Sequence, residues 1–271
     1  MGVPYAEVIG DPISHSKSPL MHKFWIEKLG LDADYRATRV TREELPAYLE
    51  QRRADEDWRG CNVTMPLKEA AWTLVDSMDP CTRRIGALNT VLHYSSEPGG
   101  LMGANTDWIG LNLALATHRL TPRHAAIVGT GGAARAAMEE MRQAKIRDMA
   151  IIARSEEKAA QLLRDFKMAG RFLPLGSAPC VDLLINASPL GMMGHPPLPI
   201  DLSRLPSGAI VVDLVYDPLE TELLRDARDR GLKTVDGLAV LIWQASMAFT
   251  YFFGEAPGEL CYDELRAKLT S

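Results

Sequence analysis

The chain has 271 residues, of which 46% are hydrophobic and 24% are charged, a composition ordinary for a globular protein and unlike that of a fibrous or disordered chain. Its formal net charge is −5 and its basic clusters are short, which argues against nucleic acid as the main partner. The richest apolar segment, Gly237 to Trp243, falls far short of the ~18 residues that span a bilayer, so we expect no membrane partner.

The four cysteines bear on metal binding and on cellular location. Cys61, Cys81, Cys180 and Cys261 lie too far apart in the sequence for a paired zinc motif or a compact disulfide framework. We therefore expect reduced thiols and no metal site. A cytoplasmic protein is expected because the N-terminus has no basic region before an apolar stretch and no segment is long enough to span a bilayer.

From Tyr5 to about Val91, apolar patterns predict short strands that alternate with helices. The predicted strands are Ala6–Ile9, Asp34–Val40 and Gly60–Val63, and the predicted helices are Leu20–Leu29 and Arg42–Arg52. Turn-forming residues from Ser95 to Gly100 then indicate a hairpin between the apolar runs on either side.

The rest of the chain begins with a predicted helix from near Thr106 towards His118, along which we expect the domain junction. A regular series follows, with strands at Ala125–Val128, Met149–Ala153, Val181–Ile185 and Ala209–Leu214 and helices at Ala133–Gln143 and Glu156–Phe166. This order predicts a parallel sheet with right-handed crossovers. The last long helix, Leu238 to Phe253, is apolar on most of its circumference and is expected to be buried.

The turn after the predicted strand Ala125–Val128 has the pattern of a dinucleotide site. Residues Gly129 to Ala134 read G-x-G-x-x-A and open an Ala-rich helix. Glycine allows a tight turn and lets backbone N–H groups approach a pyrophosphate, which the helix N-terminus also attracts. The alternative is a simple tight turn. The predicted cofactor-binding residues here are Gly129, Gly131, Gly132 and Ala133.

The tip of the next strand bears on which dinucleotide is bound. NAD-binding proteins usually place a carboxylate there, whereas this chain has Arg154 and Ser155, with Lys158 one turn later. Because a guanidinium matches a phosphate with two parallel hydrogen bonds, the tip favours the 2′-phosphate of NADP. A solvated surface arginine is the alternative.

Several polar motifs have no explanation in packing alone. They are Gly10–Pro19, Asn62–Lys68, Gly86–Thr90 and Gly103–Asp107. Together with Asn186–Met192, Tyr216–Pro218 and Asp236–Ala245, and in this order, they resemble the motifs of shikimate dehydrogenases over nearly the whole chain.

The resemblance implies a substrate that is a cyclohexene carboxylate with three hydroxyls. Ser16 and Ser18 match the family's carboxylate-binding hydroxyls, although a turn and a helix N-cap would also use these residues. The hydroxyl-binding positions match Thr64, Asn89 and Gln244, each of which both donates and accepts hydrogen bonds. Tyr216 matches a residue near substrate and nicotinamide.

Lys68 and Asp107 match the family's catalytic pair. Hydride removal from a secondary alcohol requires a group that accepts the hydroxyl proton, and a lysine can do so when neutral, a state that partial burial favours. Which member of the pair is the formal base stays open, because coupled groups titrate together. An ordinary salt bridge, or for Asp107 a favourable charge at a helix start, is the alternative.

In the second half of the chain the resemblance places Asn186, Ser188 and Met192 beside the nicotinamide ribose and includes Gly237 among the cofactor-binding residues. One departure concerns NADP: the family commonly has Asn-Arg-Thr where this chain has Ala153-Arg154-Ser155. Two contacts to the adenosine phosphate are therefore weakened or missing.

The sequence thus predicts an α/β protein with two domains, an N-terminal α/β substrate domain at 1–106 and a Rossmann-type, doubly wound NADP-binding domain at 107–237. Residues 238–271 are expected to form a C-terminal helical segment that packs back on the first domain. The predicted activity is NADP-dependent interconversion of shikimate and 3-dehydroshikimate by a monomer or homodimer. A quinate/shikimate dehydrogenase that uses NAD and a non-catalytic nucleotide-sensing module are the alternatives.

Overall fold

The computed structural model describes residues 2–94, 98–116, 118, 122–258 and 261–270. The chain forms two compact units. Unit 1 comprises Met1–Thr106 and Gln244–Ser271, and unit 2 comprises Asp107–Trp243. The second boundary falls inside a helix, between Trp243 and Gln244, whereas the sequence places it before Leu238.

The N-terminal part of unit 1 alternates strands and helices and then forms a hairpin. Its elements are β1 (Tyr5–Gly10), α1 (Ser18–Leu29), β2 (Asp34–Arg39), α2 (Leu45–Arg53), β3 (Trp58–Val63), α3 (Lys68–Ala71), β4 (Ser77–Met78), α4 (Pro80–Ile85), β5 (Thr90–His93) and β6 (Leu101–Ala104). The last part of α9 (Gly237–Phe253) and α10 (Tyr262–Thr270) also belong to this unit.

The six strands of unit 1 form one mixed sheet in the order β2-β1-β3-β5-β6-β4. β1 pairs in parallel with β2 and β3, and all six of its residues are buried. β5 runs antiparallel to β3 and β6, which confirms the predicted hairpin, although residues 95–97 lie outside the described part of the chain. Burial of large side chains such as Trp58, Leu45 and Leu67 against this sheet provides the main stabilisation of the unit.

Unit 2 has a regular β-α series. Its elements are α5 (Asp107–Ala116), β7 (His124–Val128), α6 (Gly132–Gln143), β8 (Asp148–Ala153), α7 (Glu156–Phe166), β9 (Gly170–Pro174), β10 (Leu183–Asn186), β11 (Ile210–Asp213), α8 (Glu222–Asp229), β12 (Lys233–Val235) and the first part of α9. The central strands are continuous runs of buried residues, as expected where helices cover both faces of a parallel sheet.

The sheet of unit 2 is parallel throughout, in the order β12-β11-β10-β7-β8-β9. The strand order reverses between β7 and β10, which is where open α/β sheets bind ligands beyond their carboxyl ends. The predicted α/β class with a Rossmann-type, doubly wound second sheet is confirmed.

Several short elements escape the sequence prediction, namely α3, β4, α4, β9, α8 and β12, whereas α10 lies in the predicted C-terminal helical segment. The long apolar helix is present as α9, and Leu238, Ala248 and Phe249 are among its buried residues. Within the described ranges, no helix is long and apolar enough to cross a membrane.

Candidate active site

Ser16 and Ser18 lie in the turn that leads from β1 into α1. The backbone N–H of Ser16 donates to the carbonyl of Ile13 at 3.1 Å, and the N–H of Ser18 donates to Oγ of Ser16 at 3.3 Å. Both side chains are half-buried. The turn therefore fixes two hydroxyls one residue apart, and the hydroxyl of Ser16 also helps to hold the turn.

Thr64 and Lys68 lie in the turn after β3. The N–H of Thr64 donates to the carbonyl of Ile9 at 3.0 Å, and Leu67 N–H donates back to the Thr64 carbonyl at 2.9 Å. A Cβ atom on Gly10 would lie 2.6 Å from Cγ2 of Thr64, so this close approach requires glycine. The half-buried Lys68 is the first residue of α3, and its carbonyl accepts from the N–H of Leu88 at 3.1 Å. Lys68 is thus tied to the segment that carries Asn89.

A buried polar cluster of unit 1 joins Asn89, Thr106 and Gln244. Nδ2 of Asn89 donates to Oγ1 of Thr106 at 2.9 Å and to Oε1 of Gln244 at 3.2 Å. Oδ1 of Asn89 accepts from the N–H of Thr106 at 2.8 Å. Residues 155 positions apart in the sequence are therefore brought into contact. Each of these side chains carries donors and acceptors, as recognition of an alcohol requires.

The polar cluster continues towards β2 through Asn62 and Tyr35. Nδ2 of Asn62 lies 3.3 Å from both the carbonyl of Asn89 and Oγ1 of Thr90, and the hydroxyl of Tyr35 donates to Oδ1 of Asn62 at 2.6 Å. Burial raises the pKa of Tyr35 well above its usual range, so its phenol stays a donor. The predicted site residues did not include Tyr35, Asn62 or Thr106, although Asn62 begins one of the motifs given above and Thr106 stands beside Asp107 in another.

Asp107 is the half-buried first residue of α5 and belongs to unit 2, whereas Lys68 belongs to unit 1. A carboxylate at a helix start is favoured by the helix dipole, so this position is also electrostatically stable without a catalytic partner. The pairing of Lys68 with Asp107 stays a prediction from the resemblance.

The glycine turn of unit 2 has the local geometry that a dinucleotide needs. Gly129 has φ of 110°, and a Cβ there would lie 3.0 Å from the carbonyl oxygen of Ala187. Gly131 and Gly132 have open space where a Cβ would project, and Gly131 caps α6 without a side-chain hydrogen bond. The first N–H groups of a helix lack intrahelical acceptors. The turn thus fits a pyrophosphate with its glycines and with the N–H of Ala133.

Arg154, Ser155 and Lys158 lie where β8 ends and α7 begins. The side chains of Arg154 and Lys158 are exposed. Ser155 is the N-cap of α7, and its Oγ accepts from the N–H of Lys158 at 3.3 Å. The two cations are therefore open to solvent at the start of α7, while the Ser155 hydroxyl already stabilises the helix start.

A second polar cluster lies at the carboxyl ends of β10 and β11, around the fully buried Asn186. Its Nδ2 donates to the carbonyl of Leu190 at 3.0 Å and to Oδ1 of Asp213 at 2.9 Å. Its Oδ1 accepts from the N–H of Ser188 at 3.1 Å and from the Ser188 hydroxyl at 2.7 Å. The amide of Asn186 is thus engaged within the protein and shapes the loop that carries Ser188.

Asp213 and Thr221 hold this cluster, and the sequence prediction missed both. Oδ2 of Asp213 accepts from the Thr221 hydroxyl at 2.6 Å, and Oδ1 accepts from the N–H of Val215 at 3.0 Å. Burial raises the pKa of Asp213, against these hydrogen bonds. The signal that could have found the pair is a polar residue at the end of a buried strand, eight residues before a helix N-cap.

Met192, Tyr216 and Gly237 complete the predicted set in unit 2. Met192 is half-buried in the turn after Ser188, and 38% of the Tyr216 surface is exposed. A Cβ on Gly237, the first residue of α9, would lie 2.5 Å from the carbonyl oxygen of Val215 and 2.6 Å from that of Leu214. Glycine at this position therefore serves close packing of α9 on the end of β11.

Comparison with known proteins identifies the family. A family model described as the shikimate dehydrogenase substrate binding domain matches residues 8–91. A shikimate dehydrogenase (NADP(+)) from Sphingopyxis alaskensis is 52% identical over 269 residues, covering 99% of this chain and 97% of the relative. The chain belongs to the shikimate dehydrogenase family.

Solved structures agree with this assignment. Shikimate 5-dehydrogenase from Thermus thermophilus, in complex with NADP(H) and shikimate, matches with a TM-score of 0.88 and 37% identity, covering 98% of this chain and 99% of that chain. Quinate dehydrogenase from Corynebacterium glutamicum, in complex with NAD, matches with a TM-score of 0.86 and 26% identity, covering 98% of each chain. The shikimate dehydrogenase fold is thus shared by proteins that differ in named substrate and cofactor.

Proposed function

We propose that the chain is an NADP-dependent oxidoreductase that reversibly interconverts shikimate and 3-dehydroshikimate by hydride transfer. The observation that carries the proposal is the 52% identity, over 99% of the chain, to a relative named shikimate dehydrogenase (NADP(+)). The buried cluster of Asn89, Thr106 and Gln244 supports it, since this cluster supplies both donors and acceptors for a hydroxylated ring.

The substrate is oriented through its carboxylate and its ring hydroxyls. The hydroxyls of Ser16 and Ser18 donate to the two carboxylate oxygens, and Thr64, Asn89 and Gln244 bind the ring hydroxyls. Because Asn89 and Gln244 are already hydrogen-bonded to each other, little side-chain freedom is lost when substrate binds. Tyr216 contributes one wall near the reacting carbon.

Lys68 accepts the proton of the substrate hydroxyl as the hydride leaves the same carbon. Its backbone is fixed at the start of α3 by the hydrogen bond from Leu88, so the amine is presented from a defined position. Asp107 orients the amine and shares the proton. A positioned acid or base of this kind contributes roughly 10²–10⁴-fold to rate.

NADP supplies the hydride acceptor when it is bound. Gly129, Gly131, Gly132 and Ala133 hold its pyrophosphate, and Arg154 and Lys158 hold its 2′-phosphate. Ser155 supports this contact as the N-cap of α7. Ser188 and Met192 would line the nicotinamide side, and Asn186 acts by shaping the Ser188 loop. Gly237 would serve the cofactor site by allowing α9 to begin close to Leu214 and Val215.

The reaction itself is tested by product analysis. Purified protein incubated with shikimate and NADP is expected to form 3-dehydroshikimate and reduced NADP in a one-to-one ratio, measured by NMR and absorbance. The Lys68→Met variant at equal concentration controls for contaminating activity. Absence of product with wild-type protein would favour a nucleotide-sensing module instead.

Two further features stay proposals. We infer a cytoplasmic location, because all four cysteines are free thiols in the structure, as they are kept in reducing compartments. We also infer a monomer or homodimer. Size-exclusion chromatography with light scattering measures the oligomeric state, and a mass above that of a dimer would contradict this inference.

A further inference from the structure

Unit 2 contains a cavity that the proposed reaction does not use. Its volume is about 190 Å³, and it is lined by α5, α6, β10 and the segment before β7. Leu115, Pro122, Met141 and Leu183 provide apolar walls, and Asn112 and Glu140 provide polar ones. An apolar cavity of about 150 Å³ can hold benzene, so this volume accommodates one ring with a short substituent.

The cavity is separate from the glycine turn that binds the dinucleotide. Glu140 lies eight residues after Gly132 on α6, a distance of about 12 Å along the helix axis at 1.5 Å per residue. A ligand in the cavity therefore need not compete with a pyrophosphate at the helix N-terminus.

Glu140 is the unusual group in this cavity. Its side chain is only 3% exposed. Its Oε1 accepts from Nδ2 of Asn112 at 2.9 Å, whereas its buried Oε2 has no hydrogen-bond partner among the residues that the structure describes. An ionised carboxylate that is buried without a counter-charge is strongly destabilising. Burial accordingly raises the pKa of Glu140 to about 7, an effect that neighbouring Glu139 increases and the Asn112 hydrogen bond opposes.

The described surroundings of Glu140 provide no cation for it. On α6, Arg142 is engaged with the carboxylate of Glu139 at 2.7 Å. α5 contributes the neutral amide of Asn112, and β10 contributes the apolar Leu183. The described part of the site thus combines a ring-sized apolar volume with one carboxyl group that no described cation pairs with.

We propose that this cavity binds a small organic cation, a primary ammonium carried on an apolar body about the size of a benzene ring. The ammonium donates to the carboxylate of Glu140, whose other oxygen Asn112 holds in place. The apolar body contacts Leu115, Met141 and Leu183. Such a ligand supplies a positive charge to this carboxylate and removes apolar surface from water.

Titration calorimetry with benzylammonium chloride tests the proposal on the wild-type chain. At pH 8 we expect saturable binding with Kd on the order of 0.1–1 mM, in the range set by a ligand of this size. With a pKa of about 7, the ionised fraction of Glu140 is about 0.9 at pH 8 and about 0.03 at pH 5.5, so the affinity is expected to fall about 30-fold. Binding at pH 7 is expected to release about half a proton, measured from the heats in buffers of different ionisation enthalpy.

Variants and a neutral analogue locate the site. Glu140→Gln is expected to weaken benzylammonium about tenfold or more and to abolish both the pH dependence and the proton release. Glu157→Gln is the matched control, an exposed glutamate on α7 that does not line the cavity, and it is expected to bind like wild type. Benzyl alcohol is expected to bind wild type about tenfold more weakly, because it lacks the charge.

Three results would overturn the proposal. The first is binding of benzylammonium at pH 8 that does not saturate up to about 20 mM, a concentration well above the expected Kd. The second is an affinity at pH 5.5 that equals or exceeds the affinity at pH 8. The third is a Glu140→Gln variant that binds benzylammonium as tightly as wild type. If Glu140→Gln does not fold, the pH dependence and the proton release of the wild type still decide. The affinity of wild type for NADP, measured with the cavity ligand present, reports separately on the nucleotide site.

Discussion

At the scale of single residues, the amine of the half-buried residue Lys68 is the group on which the proposed chemistry depends. Lys68→Met keeps much of the side-chain volume but removes the proton acceptor. We expect kcat to fall by roughly 10²–10⁴-fold, with a smaller change in KM for shikimate. Steady-state kinetics measure both constants.

Lys28→Met is the matched control for this experiment, since Lys28 is an exposed lysine of unit 1 that pairs with Glu264. Its kinetic constants are expected to stay close to wild type. A Lys68→Met enzyme that retains more than a few tenths of the wild-type kcat would remove Lys68 from the mechanism.

Arg154 is, at the same scale, the residue that we propose selects the cofactor. Its exposed guanidinium can pair with the 2′-phosphate of NADP, a contact worth about 1.5–3 kcal/mol or about 10- to 150-fold in affinity. Arg154→Ala is expected to lower the affinity for NADP by a factor in the lower half of that range and to leave the affinity for NAD nearly unchanged. The lower half is expected because Ala153 adds no polar contact to the phosphate. The loss should shrink at high salt, where exposed charge pairs are screened.

Fluorescence titration of both cofactors measures this effect, with Arg164→Ala as the control. Arg164 is an exposed arginine of the same helix whose guanidinium donates to Gln161. An equal loss of NAD and NADP affinity in Arg154→Ala would show that Arg154 supports the fold and does not select the cofactor.

Sequence reasoning reaches some site residues and not others, for a physical reason. The glycine turn and Arg154 carry local patterns, and the motifs place Asn89 and Gln244. The hydrogen bond between those two amides spans 155 positions and is set by tertiary packing alone. Asp213 carries only a weak local signal, a polar residue at the end of a buried strand, and its role depends on a contact with Asn186 in a neighbouring strand.

At the scale of elements, the strongly periodic segments are predicted well and the edges of the sheets are not. The helix predicted at Glu156–Phe166 has these same bounds in the structure. β9 and β12 escape because they are edge strands with mostly exposed or half-buried residues, so no apolar run marks them. The antiparallel placement of β5 depends on long-range pairing, which periodicity does not encode.

The start of α9 gives a prediction at this scale. Gly237→Ala would place a Cβ 2.5–2.6 Å from the carbonyl oxygens of Val215 and Leu214, so backbone must move. Overpacking of this kind typically costs about 1–3 kcal/mol. We expect a lower unfolding midpoint in thermal denaturation.

Gly208→Ala is the matched control for Gly237→Ala, since no atom lies within 4 Å of the Cβ that it would add. Its unfolding midpoint is expected to stay near that of wild type. Equal midpoints for both variants would contradict the close packing of α9 against the end of β11.

At the scale of the whole molecule, acid stability depends in part on His22. The ring is fully buried, stacks on Tyr35 with centroids 3.9 Å apart, and has no hydrogen-bond partner at either nitrogen among the described residues. Burial lowers the pKa of His22 to about 3 from 6.5. Below pH 6.5 the unfolded chain therefore takes up a proton that the folded chain does not. The free energy of unfolding accordingly decreases as the pH is lowered.

His22 lowers the free energy of unfolding by about 1.4 kcal/mol for each pH unit below 6.5, which amounts to about 2 kcal/mol at pH 5. His22→Phe retains an aromatic ring and removes the titration. Denaturant unfolding gives the free energy of unfolding at pH 7.5 and at pH 5 for both proteins. Between these pH values we expect the variant to lose about 2 kcal/mol less than wild type. The contributions of the other titrating groups are the same in both proteins and cancel in this comparison. The same loss in both proteins would contradict the buried, neutral state of His22.

The central claim, that this member of the shikimate dehydrogenase family oxidises shikimate with NADP, is tested most directly by kcat/KM for four pairs of reactants. Wild-type protein is assayed with shikimate or quinate, each with NADP or NAD. The account predicts the highest kcat/KM for shikimate with NADP, with NAD lower by about tenfold or more because it lacks the phosphate that Arg154 binds. A higher kcat/KM with quinate or with NAD would contradict it.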